Sequence, residues 1–184
     1  MVSKISNRLL GSVISTLQVK KCQDRVACLK IALKYYHMIV IGIYAPCGAS
    51  KEHNKTREIT YTELNRIVSN QSKHDCVVVL GDTNCRLGWK SNLATKCVGP
   101  HSIHMNDDHR GKKLRKLAND HHLRDFGSWT RAARGDPMVT HVPWGTEWSA
   151  KGGSILDRIL ISERRFNSVC NYSVNWKPSV FKFG

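Results

Sequence analysis

The sequence predicts a single α/β layered domain, and three observations carry that expectation. Met38 to Ala45 (MIVIGIYA) is a short continuous apolar run closed by Pro46, Cys47 and Gly48. Tyr61, Leu64, Ile67 and Val68 recur at helical spacing. Cys76 to Leu80 (CVVVL) is a second apolar run, ending abruptly in Gly81-Asp82-Thr83-Asn84. Apolar runs of that length between turn residues read as buried strands, and a 3.6-residue stripe reads as an amphipathic helix. Strands and helices intermixed along one chain pack in layers. At 184 residues the chain is long enough for one substantial core and short for two.

Taken in order, Asp24 to Leu33 has the β-branched, alternating character of a strand, with Lys30 outward between Leu29 and Ile31. A turn over residues 34–37 would join it to the Met38 run as a hairpin. The polar stretch from Ser50 to Thr56 reads as loop, and the helix is expected over Arg57 to Asn70. A long irregular region follows Cys85. A second helix starts near Asp107 or Asp108, whose carboxylates are suited to cap it, and fades by His122. Ile155 to Ser162 (ILDRILIS) is the clearest late strand. No internal repeat or linker interrupts the chain.

Charge narrows the function. Lys plus Arg number 29 against 14 Asp plus Glu, a formal net charge of +15. An excess that large is self-repelling in a compact chain, and a polyanion neutralises it with release of counterions. Nucleic acid is therefore the expected partner, and nothing in the sequence specifies a protein partner. No stretch approaches the apolar length that spans a bilayer. Lys4 and Arg8 have no apolar run behind them, which argues against a secretory signal. The seven cysteines are odd in number and lack any Cys-x-x-Cys pair, which speaks against a disulfide framework or thiolate zinc site. An intracellular location, with the nucleus favoured by the partner, is the expectation.

Three strand ends place polar groups where a phosphate site can be built. Tyr44 closes the Met38 run. Asp82 and Asn84, two apart, project from the same side of an extended chain after Gly81. Asp157 interrupts the apolar strand LDRIL, where a buried charge is costly unless paired or near a metal. Each signal is weak alone: a Tyr before Pro is often core packing, an Asp after Gly a turn former, a strand Asp one half of an ion pair.

In this order and spacing the sequence resembles the endonuclease/exonuclease/phosphatase superfamily, through IYAP, VVVLGDTN, N-x-x-x-x-G-x-x-L at Asn106 to Leu114, and LDRILIS. It is most similar to the endonuclease domains of non-LTR retrotransposons, including craniofacial-development-protein-like sequences. The resemblance runs from about Asp24 to Ser168. It implies a two-sheet α/β sandwich, incomplete here, with the opening strands and the final strand missing. It further implies metal-dependent hydrolysis of a nucleic-acid phosphodiester, DNA above RNA. Asp82 would orient or deprotonate the attacking water, with Asn84 beside it. Tyr44 would donate a hydrogen bond to a phosphate oxygen, and Asp157 would orient an imidazole. Mg²⁺, or Mn²⁺, would be held at Asp82 and Asn84 and offset charge in the transition state. The family's opening Asn and metal-binding Glu have no match upstream of Tyr44, and its closing Ser-Asp-His is absent. Little catalysis and marginal stability are therefore expected.

Lys112, Lys113, Arg134, Thr140 and Trp144 are the candidate nucleic-acid contacts. Lys112, Lys113, Arg115 and Lys116 form a basic run, equally readable as a helix's wet face. Trp129, Trp144 and Trp148 lie near Arg131, Arg134 and Lys151, a mixture suited to stacking on unpaired bases. His101, His104, Asp107, Asp108 and His109 form a loose ligand-like cluster, read here as solvated loop rather than zinc site. Two other functions stay open: a basic remnant that binds nucleic acid without cutting it, and a phosphatase acting on small phosphoesters.

Overall fold

The computed structural model describes residues 25–90, 96–129, 139–145 and 152–169, together with the backbone of 18–22. Six strands form one sheet: β1 (Gln18–Cys22), β2 (Val26–Ala32), β3 (His37–Tyr44), β4 (Cys76–Asp82), β5 (Leu123–Asp125) and β6 (Asp157–Ser162). Their order across the sheet is β1-β2-β3-β4-β6-β5. The β2–β3 hairpin is antiparallel, as the sequence predicts, with Val26 opposite Ile43 and Ala32 opposite His37. β3 and β4 run parallel, joined by the helix α1 (Lys51–Ser69), and β6 returns antiparallel to β4. The edge strand β1, which pairs with β2, was not foreseen.

Alternation decides which side chains meet the helices. Ile39, Ile41 and Ile43 of β3, Val77 and Val79 of β4 and Leu160 of β6 are buried on one face. They share a core with Tyr61, Leu64, Ile67 and Val68 of α1 and with Leu114, Leu117 and Ala118 of α2 (His109–Asp120). Fully burying such a side chain stabilises by about 1.5–3 kcal/mol. The other face carries Met38, Val78 and Ile161, partly covered by Phe126 of the single helical turn α3 (Phe126–Trp129) and Phe166 of a 3₁₀ turn, Glu163–Ser168. Nearer the Asp82 end of that face Leu80 is 40% exposed. All described strands thus belong to one sheet, not two, and the partly bare face is the side a second sheet would cover in a sandwich.

Two element boundaries differ from expectation for local reasons. α1 begins six residues before Arg57, because the Ser50 side chain caps it by accepting from the His53 N–H at 3.1 Å. The polarity of residues 51–56 marks the exposed first turns of the helix rather than a loop. α2 begins where the acidic pair predicts, with Asp108 accepting from the Gly111 N–H at 2.6 Å. The glycine in N-x-x-x-x-G has a packing cause. A Cβ on Gly111 would stand 1.9 Å from the Arg86 carbonyl oxygen. Gly111→Ala should push α2 off the chain at Arg86 and cost about 1–3 kcal/mol, read as a lower urea midpoint. An unchanged midpoint would show that α2 shifts freely.

The expectation for LDRIL needs a correction. Asp157 is exposed, and the charge inside is Arg158, on the same strand face as Leu160. Arg158 meets Asp125 of β5 at 2.5 Å, with side-chain exposures of 0% and 3%. Arg115 of the basic run is likewise buried. It donates to Asp107 at 2.6 and 2.7 Å and to the Gly88 carbonyl, tying α2 to the loop after β4. Lys112, Lys113 and Lys116 keep the exposed face, where Lys113 pairs with Glu58 and Lys116 with Asp120. Trp129 packs edge-on against Phe166 with Arg124 over its ring, a packing role rather than an open stacking platform.

Nor do the loop histidines converge on an ion: among the described residues no three of His, Cys, Asp or Glu are grouped to hold a metal. His104 instead accepts from the Ile155 N–H at 3.2 Å through Nε2. Burial, then the charges of Arg158 and Arg86, bring its pKa down to about 4. In the unfolded chain the ring titrates near 6.5, so the native state disfavours its protonation. Stability from this group is complete above pH 6.5 and declines as pH falls toward 4. After discounting for solvent screening this amounts to about 1–2 kcal/mol. Denaturant melts of the wild type and His104→Gln should diverge across that window, and parallel curves would refute it.

Cys47, Cys76, Cys85 and Cys97 are free thiols. Among the described residues no helix is long and apolar enough to cross a membrane. Arg131, Arg134, Trp148 and Lys151 lie outside the described residues.

Candidate active site

β3 and β4 end side by side, and β6 begins next to them. Tyr44 is paired in register with Asp82, and Asp82 with Asp157. Directly paired residues project from the same sheet face, so these three side chains form one row across three adjacent strands. Tyr44 is 52% exposed, with the Arg25 guanidinium 5.3 Å from its ring centre.

Asn84 joins the row by a route the extended-chain reading did not anticipate. The backbone turns left-handed there, with φ of 45°. This folds the amide back, so Asn84 Nδ2 donates to Asp82 Oδ2 at 2.9 Å and to the Ala45 carbonyl at 2.7 Å. The Asn84 N–H donates to Asp82 Oδ1 at 2.8 Å. Asn tolerates this conformation better than most residues. Gly81, with φ of 132°, makes the approach possible, since a Cβ there would meet the Ile43 carbonyl oxygen at 2.1 Å. Between them Thr83 turns inward. Its N–H and hydroxyl both donate to the Leu156 carbonyl, at 2.9 and 2.8 Å, and fasten the start of β6 beside β4.

Thr140 acts on the same point from the opposite side. Its Oγ1 accepts from the Leu156 and Asp157 N–H groups at 2.9 and 3.0 Å, which sets where Asp157 stands. Burial is the largest cause holding the Asp82 carboxyl above its ordinary pKa. The negative charge of Asp157 pushes the same way, against the Asn84 hydrogen bonds and the imidazole of His141.

His141 is the residue that sequence reasoning passed over. It stands directly after Thr140, and no spacing in the sequence marks it. The sheet bridge between His141 and Ser154 brings it to the site. Arg110 was also missed, having been read only as part of a helix start. It donates to the Asn84 carbonyl at 3.2 Å and to the Gly48 carbonyl at 2.6 Å. Both residues line a cavity of about 540 Å³ that adjoins Asn84. Lys112 and Lys113 do not line it, and Trp144 stands fully exposed on the loop that follows His141.

No protein-family model and no curated protein matches the sequence. Solved structures do match in fold. The 3′ phosphatase NExo from Neisseria, bound to product DNA hairpin, superposes with a TM-score of 0.58 at 18% identity, over 91% of this chain and 65% of that one. The 3′-5′ exonuclease NExo from Neisseria meningitidis gives 0.55 at 20% identity, over 85% and 60%. The AP endonuclease LMAP from Leishmania major gives 0.55 at 13% identity, over 80% and 48%. The chain therefore spans less than two thirds of each of these proteins. One sheet with helices packed on its Ile39–Ile41–Ile43 face, matched to these structures over most of its length, gives this chain the fold that these structures share.

Proposed function

We propose that the chain hydrolyses phosphodiester bonds of nucleic acid, DNA in the first place, with a divalent cation. The observation that carries this reading is the in-register row Tyr44–Asp82–Asp157 with Asn84 folded onto Asp82. Two carboxylates and an amide at one end of a sheet are hard oxygen donors, a set that suits Mg²⁺ or Mn²⁺ completed by water and substrate phosphate. A cation there would also offset the repulsion between Asp82 and Asp157. Asp82 and Asn84 would hold the ion, which when bound supplies charge neutralisation at the phosphate. Asp82, kept in place by two hydrogen bonds from Asn84, would orient or deprotonate a water. Tyr44, exposed at the row's end, would donate to a phosphate oxygen.

The net charge of +15 supports a long polyanionic substrate over a small phosphoester. The superposed structures support the same class, since they are named as a phosphatase on DNA, an exonuclease and an AP endonuclease. The sequence resemblance adds the finer proposals of endonucleolytic cutting and retrotransposon ancestry. Lys112, Lys113, Arg134, Thr140 and Trp144 remain the proposed nucleic-acid contacts, with Thr140 acting through the main chain of Asp157.

The test is nicking of supercoiled plasmid by the purified chain with Mg²⁺ or Mn²⁺. Nicking that disappears with chelator is the expected result. Binding that weakens steeply with salt, without nicking in either metal, would leave a protein that holds nucleic acid and does not cut it.

A further inference from the structure

Elsewhere among the described residues the deeply buried guanidinium groups are matched by acids: Arg158 by Asp125, Arg115 by Asp107. The cavity beside Asn84 breaks this pattern. Arg57, 4% exposed, donates to the carbonyls of Pro46 and Gly48 and to the Asn54 side chain. Arg110 donates to the carbonyls of Gly48 and Asn84. Carbonyl and amide oxygens fix a guanidinium in place without cancelling its charge. Arg86, His109 and His141 line the same cavity, and among the described residues lining it Asp108 is the one acid, with an oxygen committed to the Gly111 N–H. Arg57 also feels the positive field: burial first, then Arg110, lower its pKa. The cavity is thus a concave, preformed cationic site with guanidinium groups held at its wall.

We propose that this cavity is a phosphate subsite, separate from the Tyr44–Asp82–Asp157 row, in which Arg86, His109 and Arg110 take a second phosphate of the bound strand. The inference rests on the phosphodiesterase reading of the row for its substrate class. Asn84 links the two places: its side chain holds Asp82, while its carbonyl holds Arg110. A strand with one phosphate at Asp82 would therefore present a neighbouring phosphate to the cavity. Arg suits the role because its planar fork can bind phosphate in two-point fashion. Two sources share this chemistry, an internal phosphodiester and a phosphomonoester at a strand end.

The test measures binding of fluorescent single-stranded oligonucleotides by anisotropy, in chelator so that nothing is cut, over a range of salt. The full chain is compared with Arg86→Gln/His109→Gln, using strands that end in phosphate or in hydroxyl. Both positions are at the surface, and circular dichroism confirms that the variant folds. The expected result is about a tenfold loss of affinity and a salt slope shallower by about one unit, the signature of one lost phosphate contact. A loss on both strands assigns an internal phosphodiester, and a loss on phosphate-ended strands alone assigns the terminal group. Unchanged affinity and slope on both strands would overturn the subsite. That failure is distinct from failure of the functional reading, in which the wild type binds with the predicted slope difference yet never nicks plasmid.

Discussion

Replacing Arg158 with Met or Asp125 with Asn is expected to destabilise the protein by about 3–5 kcal/mol. Neither side chain has solvent to fall back on, since their exposures are 0% and 3%. Arg158 also donates to the Ile155 carbonyl at 2.9 Å, so it braces the turn into β6 as well as β5. Removing either partner leaves the other buried, charged and uncompensated, which costs far more than the pair's net worth. For a domain of this size that should lower the melting midpoint by roughly ten degrees or more. The double variant Asp125→Leu/Arg158→Met removes both charges and should recover much of the loss, because apolar packing can replace a buried pair. If both single variants melt within a degree or two of the wild type, water reaches the pair and the account is wrong. The loss should also reach the site, since Arg158 and Asp157 are successive residues of β6.

The same two residues show what was legible in the sequence. Period-two alternation and apolar runs placed β2, β3, β4 and β6 closely, because the core face of each strand is written in consecutive local residues. The helix start at Asp108 was legible for the same reason, as a cap is a local hydrogen bond. Alternation in LDRIL required Asp157 and Arg158 to face opposite ways, but not which of them faced the core. That depended on Asp125, thirty-odd positions away on a three-residue strand with no pattern of its own. Tyr44, Asp82, Asn84 and Asp157 were named as one candidate set; the sheet register brings Tyr44, Asp82 and Asp157 together, and hydrogen bonds fold Asn84 onto Asp82. The left-handed turn at Asn84 was not legible, since GDTN reads equally well as a strand end. His141 and Arg110 were missed because no short-range spacing marks them. They reach the site only through the His141–Ser154 bridge and the packing of α2 against the Arg86 carbonyl.

Asp82→Asn should reduce metal-dependent cleavage by about two to four orders of magnitude, the range general acid–base catalysis supplies. The substitution is nearly isosteric and retains an acceptor for the Asn84 N–H, so the fold should survive and the loss should appear in kcat. The wild-type pH profile carries an independent check. Burial and the neighbouring Asp157 charge hold the Asp82 carboxyl above its ordinary pKa. If catalysis needs the carboxylate, activity is lost as pH falls through the Asp82 pKa, which a cation bound there would lower relative to the metal-free site. Asp157→Asn removes the like charge, so whatever activity it retains should have its acidic limb displaced to lower pH. Measurement of kcat/KM against pH for the wild type and Asp157→Asn reads that displacement directly. A limb that stays in place would mean that another group controls it. An Asp82→Asn enzyme of full activity would remove Asp82 from the chemistry and leave the row Tyr44–Asp82–Asp157 as a place where nucleic acid is held rather than cut.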